Sequence, residues 1–229
     1  MTLHIVTKSK IEHLNLDSMS IAGKDIIEYW LEWARYKQYN EVCVYADTMT
    51  VDTKKIKFYS NLYGVTLTIH NAYNKKSIVD TGLIYRGIGI FSNNGTYKSF
   101  NTLDEILTFE QLLIDNPLKY CSSLGYGKMQ NIHIGKNVYI HASAILEGKV
   151  IIGDNCTIEK DVHIQDSVID SGCTVKSSSI VKKSHVSKNI QMTTNLFLNN
   201  KVLFQSSVYD VVNKNTLEHE GLCLKAKAS

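Results

Sequence analysis

The chain of 229 residues has a single proline, no long apolar run and little net charge. The one proline, Pro117, argues against disordered linkers and proline-rich ligand segments. No apolar run is long enough to span a bilayer, and the first six residues lack the basic start and long apolar core of a signal peptide. We therefore predict a cytoplasmic protein without a membrane span.

Composition excludes two further classes of protein. The net charge of +3 is too small to predict a nucleic-acid partner. The five cysteines are an odd number and contain no C-x-x-C pair, which indicates free thiols in a reducing compartment. The hydrophobic content of 44% and the charged content of 21% are typical of a globular domain with an ordinary core.

The first half of the sequence alternates between strand and helix patterns. A strand–helix–strand–helix–strand order at this spacing predicts an α/β domain with a small parallel sheet and crossover helices. A further helix opens at Thr102, where Thr102 and Glu105 form a capping box. We place this domain at residues 1–118. Its predicted strands and helices are Leu3–Thr7, Lys24–Tyr36, Glu41–Ala46, Thr53–Tyr63 and Val65–Ile69.

A period of six replaces this alternation in the second half. Neither a helix nor a hairpin sustains such a period, whereas a solenoid with three hexapeptides per coil does. The pattern therefore predicts a left-handed parallel β-helix of about three coils at residues 132–186, within a second domain at 119–229. The recurring aliphatic residues are Ile134, Ile140, Leu146, Ile152, Ile158 and Ile164.

The limits and corners of this solenoid also follow from the sequence. Asn137, Asn155 and Asp161 stand where the corners need unusual backbone conformations. The pattern slips by one residue after Ile164, and His185 is too large for the next small inward position. We therefore predict that the coils end there, that residues 187–212 cap them, and that residues 213–229 form a frayed tail. Cys156 and Cys173 take small inward positions and are predicted to be buried core thiols.

The stretch Ile21–Trp33 resembles the V-x-G-K-P-L-I-E-x-W-L-E segment of sugar nucleotidyltransferases, and Glu41–Ala46 resembles their second strand. Many members of that family end in a left-handed β-helix. The resemblance implies a truncated nucleotidyltransferase-like domain and points to Lys24 as a ligand-binding residue. Arg86, one of only two arginines in the chain, is a second candidate because it could contact an anion.

The resemblance fails where that family holds the triphosphate. Its glycine-rich loop follows the first strand, because close approach to phosphate needs glycine. Here the corresponding segment Thr7–Asn15 contains no glycine. The resemblance therefore implies a nucleotide-sugar-synthase-like protein of surface-polysaccharide or lipopolysaccharide metabolism without nucleotidyl transfer. Such a protein would bind a nucleotide-sugar or act as an oligomeric scaffold.

An acyl-CoA-dependent transferase acting on a sugar is the alternative, because left-handed β-helices often belong to acyltransferases. In such enzymes a histidine acts as general base, and His141, at a corner, is our candidate, with acetyl-CoA as cofactor. No long loop leaves the coils to wall off a CoA arm. The spacing of His133, His141, His163 and His185 matches no zinc site, so we predict no metal. The solenoid faces predict a homo-oligomer, either a dimer or a trimer.

Overall fold

The computed structural model describes residues 1–7, 10–11, 14–15, 20–21, 24–46, 53–70, 84–86, 88–92, 95–115, 127–129, 131–204, 207–218 and 225–226. The chain divides into two compact units. One unit contains Met1–Ile21 and Asp25–Ser123, and the other contains Leu124–Ser229 together with Ala22–Lys24. The predicted boundary between residues 118 and 119 lies outside the described residues.

A parallel sheet and two helices form the frame of the N-terminal unit. In chain order they are β1 (Thr2–Val6), α1 (Ile26–Tyr36), β2 (Glu41–Tyr45), α2 (Thr53–Tyr63), β3 (Thr66–His70) and β4 (Ile84–Arg86). The strands lie in the order β3–β2–β1–β4, and every pairing is parallel. This confirms the α/β architecture that the alternating pattern predicts.

The two faces of this sheet differ because its strands alternate apolar and polar residues. Leu3, Ile5, Val42 and Val44 share one face and are fully buried. Helix α1 packs against β2 and helix α2 against β3. Within α1, Trp30 is fully buried and its indole N–H donates a hydrogen bond to the Gly89 carbonyl at 2.6 Å. The other face carries mostly polar residues.

A hairpin and a third helix complete the regular structure of this unit. Strands β5 (Ile88–Phe91) and β6 (Tyr97–Phe100) pair in antiparallel fashion, and α3 spans Leu103–Asp115. At the start of α3 the Glu105 amide donates to the Thr102 hydroxyl at 3.2 Å, as the capping box predicts. Four two-residue strands pair as Lys10–Ile11 with Leu14–Asn15, and Ser20–Ile21 with Lys24–Asp25.

The C-terminal unit is a parallel β-helix whose coils contribute one strand to each of three sheets. Successive coils pair in parallel in all three sheets, and their inward aliphatic side chains form one core. The parallel strands of sheet 1 are Ile132–Ile134, Val150–Ile152, Val168–Ile169, His185–Val186 and Lys201–Leu203; of sheet 2, Tyr139–Ile140, Thr157–Ile158, Thr174–Val175 and Ile190–Gln191; of sheet 3, Ile145–Glu147, His163–Gln165, Ile180–Lys182 and Phe197–Asn199.

The predicted end of the coils at residue 186 is wrong, because the one-residue slip recurs in every later coil. Ile132 pairs with Val150, whereas Ile151 pairs with Val168 and Val168 with His185, so the repeat shortens after the first coil. The inward small position before the fourth coil therefore belongs to Ser184. His185 lies on the outer side of sheet 1, where its size is no obstacle, and a fourth coil follows through Phe197–Asn199.

Residues with positive φ mark the corners of the coils, as the sequence predicts for Asn137, Asn155 and Asp161. The same conformation appears at Lys183, with φ of 44°. An amide ladder supports one corner, because Asn137 Nδ2 donates to Asn155 Oδ1 at 2.8 Å. Asparagine, aspartate and glycine therefore recur where the backbone turns left-handed.

Antiparallel strands border the β-helix at both ends. Gly127–Met129 pairs with the first strand of sheet 1, and Ser207–Asp210 pairs with its last strand. The predicted cap at 187–212 is therefore wrong for its first part, which is a coil. The predicted tail is also partly ordered, because Asn215–Glu218 and Lys225–Ala226 form strands.

Candidate functional site

The carboxyl ends of the parallel strands form the first candidate site. Strands β1, β2 and β3 advance to one side of the sheet, and β4 returns to the other side of β1. In open α/β sheets, ligands bind at such a reversal, outside the carboxyl ends of the strands. Arg86 is the last residue of β4 and is level with Val6 at the end of β1. The backbone thus brings Arg86 to the reversal point.

A stack of three rings lies on the polar face near this edge. The Tyr45 ring stacks on His70 with centroids 4.8 Å apart, and on His4 with centroids 5.9 Å apart. His4 Nδ1 also lies 3.2 Å from the Tyr45 hydroxyl. Tyr45 is buried, whereas His70 is exposed on the edge strand β3. The stack therefore presents one polar aromatic ring to solvent at the carboxyl end of the sheet.

Burial and a nearby carboxylate set the protonation of this face. Burial lowers the pKa of His4; Glu41 opposes this shift and His70 adds to it. Burial, and then the charge of Glu41, raises the pKa of the Cys43 thiol to about 11. The Glu41 carboxylate accepts hydrogen bonds from the Thr2 and Thr68 hydroxyls, both at 3.1 Å. His4 is therefore neutral near pH 7, and Cys43 is not a thiolate nucleophile.

The predicted ligand residue Lys24 lies in a buried segment at the start of α1. The Lys24 side chain is only 8% exposed, and the next residue, Asp25, is 2% exposed. Asp25 is the N-cap of α1, and its carboxylate accepts a hydrogen bond from the Tyr59 hydroxyl and lies 2.9 Å from Lys55 Nζ. These contacts join the start of α1 to α2. A ligand-binding role for Lys24 stays a prediction.

The predicted acyl-transfer base His141 lies at a β-helix corner beside Ser143. The Ser143 amide donates to His141 Nδ1 at 3.2 Å, and the Ser143 hydroxyl lies 2.9 Å from the same nitrogen. The Asp161 amide donates to that hydroxyl at 2.8 Å, which leaves the hydroxyl proton for His141. Because Nδ1 accepts, the imidazole proton is on Nε2. In this tautomer Nε2 carries the proton, so it is a donor and not a base.

The other β-helix histidines among the described residues do not converge on a site. His163 Nε2 lies 3.0 Å from Glu147, and His185 Nε2 lies 2.9 Å from Asp170. His133 and the His185–Asp170 pair are buried on the outer side of sheet 1. The sequence pattern does not predict this pair, because only the recurring slip places His185 there. Within the described ranges, no group of three potential metal ligands occurs.

These features show the class of protein: a left-handed β-helix of hexapeptide repeats preceded by an α/β unit. Residues 128–227 match the family model of the GMPPB C-terminal domain, the left-handed β-helix domain of sugar nucleotidyltransferases. The match covers the C-terminal unit and less than half of the chain. No curated protein matches the chain. None of the helices in the described residues is long and apolar enough to cross a membrane.

Proposed function

We propose that the protein is a nucleotide-sugar-synthase-like protein of surface-polysaccharide or lipopolysaccharide metabolism that binds a sugar nucleotide without transferring a nucleotidyl group. The observation that carries the proposal is the match of residues 128–227 to the GMPPB C-terminal domain. The parallel sheet of the N-terminal unit supports it, because its carboxyl edge has the topology of a nucleotide site. A homo-oligomer formed through the β-helix, and a cytoplasmic location, belong to the same proposal.

The loss of transfer activity is proposed from the residues that follow β1. Segment Thr7–Asn15 contains no glycine, so a triphosphate would meet side chains where close backbone approach is needed. We therefore expect no release of pyrophosphate when the protein is incubated with a nucleoside triphosphate and a sugar 1-phosphate. Release above the blank, abolished by mutation at the carboxyl edge, would show that the protein is an active synthase.

Thermal-shift measurements test the binding half of the proposal. A ligand that binds the native state raises the melting temperature, by an amount that grows with its concentration over Kd. We expect stabilisation by nucleoside diphosphate sugars carrying a uracil, guanine or adenine base, and none by acetyl-CoA. Arg86→Leu should remove the shift, whereas Arg35→Leu, which changes the chain's other arginine, should keep it. Stabilisation by acetyl-CoA alone would instead favour the acyltransferase.

The acyltransferase alternative requires a particular tautomer of His141. A general base acting through Nε2 needs the proton on Nδ1, but that nitrogen accepts a hydrogen bond from the Ser143 amide. Ser143→Ala would remove the hydroxyl together with its contacts to His141 and to the Asp161 amide, but the Ser143 amide would still favour the Nε2–H tautomer. We therefore place this alternative second, and acyl transfer that is lost in His141→Ala would reverse the order.

A further inference from the structure

The exposed side chains of helices α1 and α2 have an unusual composition. Every exposed charged residue on them or at the C-cap of α1 is a cation, and none is an acid. The acids of α1 are only partly exposed, and Glu28 accepts a hydrogen bond from the Tyr63 hydroxyl at 2.8 Å. The exposed cations are Arg35, Lys37, Lys54 and Lys57, and the exposed large apolar or aromatic residues are Tyr36, Phe58 and Leu62.

Helix α2 concentrates these groups on one stripe. Its exposed residues are Lys54, Lys57, Phe58, Asn61 and Leu62, which follow the spacing of a single helix face. The Phe58 side chain is 60% exposed and Leu62 is 53% exposed. Because these two residues are four apart, their side chains are neighbours on the helix surface.

The opposite side of α2 holds the helix firmly in the fold. Tyr59 is buried, and its hydroxyl donates to the Asp25 carboxylate at the start of α1. Lys55 contacts the same carboxylate at 2.9 Å. The burial of Tyr59 and the contacts of Asp25 explain why α2 stays in place. The Phe58 ring touches the Tyr59 ring, with centroids 5.5 Å apart, but both Phe58 and Leu62 remain mostly exposed.

We propose that the stripe Lys54, Lys57, Phe58, Asn61 and Leu62 docks on an anionic membrane surface. Cations flanking two protruding apolar side chains match a layer of negative headgroups over acyl chains. A convex stripe of two apolar side chains is far smaller than the roughly 800 Å² per partner that a specific protein interface buries. A second copy of the chain is also disfavoured, because it would bring lysines against lysines.

The apolar side chains and lysines of the stripe give an expected affinity for the membrane surface. Inserting each partly exposed apolar side chain contributes about tenfold to the partition coefficient, and each lysine near an anionic surface contributes about fivefold. Multiplied onto a reference association constant of about 1 M⁻¹, these factors give on the order of 10³ M⁻¹, which is weaker than a single myristoyl anchor. Binding should therefore be reversible and measurable at millimolar lipid.

Vesicle sedimentation of the full chain tests the proposal. We expect binding to phosphatidylcholine vesicles that contain about one third phosphatidylglycerol, little binding to pure phosphatidylcholine, and a loss of binding at about 0.5 M salt. Phe58→Ser with Leu62→Ser should weaken binding at least tenfold, and Lys54→Gln with Lys57→Gln should weaken it by a similar factor. Near-UV circular dichroism of the buried tryptophans checks that each variant is folded.

Matched controls separate the stripe from general charge and hydrophobicity. Leu112→Ser changes an exposed leucine of α3, and Lys136→Gln with Lys160→Gln removes two exposed lysines of the β-helix. Both controls should bind anionic vesicles as the unmodified chain does. The proposal fails if the chain does not sediment with anionic vesicles, if it binds neutral vesicles equally, or if the controls lose binding as much as the stripe variants. Its failure would leave the thermal-shift test of sugar-nucleotide binding unaffected.

Discussion

The replacement Gly153→Ala tests the packing of one β-helix coil on the next. A methyl group at this position would lie 2.5 Å from the Ser171 nitrogen, 2.7 Å from Ser171 Oγ and 2.9 Å from the Asp170 carbonyl carbon. Two of these three atoms are backbone atoms of the following coil. The φ of Gly153 is not left-handed, so the expected cost comes from space and not from backbone conformation.

The structure gives the size of this cost. The Gly153 amide donates to the Ile169 carbonyl at 2.7 Å, and the Gly172 amide donates to the Asp154 carbonyl at 2.8 Å. A methyl group can be accommodated only if these coils separate, which weakens such ladder bonds. Overpacking costs about 1–3 kcal/mol and a weakened bond about 1 kcal/mol, while the stiffer unfolded chain returns about 0.5–1 kcal/mol. We expect a net loss of about 1–3.5 kcal/mol in the free energy of unfolding.

Urea denaturation followed by far-UV circular dichroism measures this loss. With an m-value of about 1.5–2 kcal/mol per molar, the midpoint of the β-helix transition should fall by roughly 0.5–2.3 M. Tryptophan fluorescence reports the N-terminal unit, which contains both Trp30 and Trp33. Gly64→Ala is the control, because its methyl would meet no atom within 4 Å and only its φ of 65° carries a cost. An unchanged or higher midpoint for Gly153→Ala would refute the reasoning.

Two further predictions concern a corner and a histidine. Lys183→Asn should raise the free energy of unfolding by about 0.5–1 kcal/mol, since asparagine tolerates a φ of 44° better than lysine; Lys182→Asn, on the adjoining strand, should not, and a lower urea midpoint for Lys183→Asn would contradict this. Burial lowers the pKa of His4, so this histidine binds a proton more readily in the unfolded chain than in the folded one. The contribution of neutral His4 to the free energy of unfolding is therefore complete above about pH 6.5 and is lost as the pH falls towards the lowered pKa. His4→Gln should therefore flatten the fall in stability between about pH 7.5 and 5 in fluorescence-monitored denaturation; an unchanged slope would exclude His4 as its source.

The β-helix was predictable because its core repeats along the sequence. Inward aliphatic residues such as Ile158 and Ile164 stack in every coil, so their period of six shows the fold directly. The sequence predicts too short a β-helix if the slip after Ile164 is taken as a single event. In the structure, the third corner is one residue shorter in each later coil, which moves Ser184 inward and His185 outward. A repeat whose third corner is one residue shorter in every later coil predicts the fourth coil.

The candidate site in the N-terminal unit was less predictable. Alternation along each strand predicted the elements, but the strand order, which places Arg86 beside the end of β1, depends on pairings between distant segments. The polar face was visible in principle, since polar residues alternate with apolar ones at His4, Tyr45 and His70. Their stacking was not visible, because it needs the registers of three neighbouring strands.

The start of α1 supports the proposal that this α/β unit does not hold a triphosphate. A helix N-terminus binds phosphate through its free amides and its positive dipole end. Here the N-cap is Asp25, whose carboxylate is buried and is held there by Lys55 and the Tyr59 hydroxyl. This helix end is therefore already occupied by a carboxylate paired with Lys55, and no glycine in Thr7–Asn15 offers another backbone cradle. Both features disfavour phosphate binding next to β1. Neither feature lies at the Arg86 and His70 part of the sheet edge. This supports binding of a sugar nucleotide without nucleotidyl transfer.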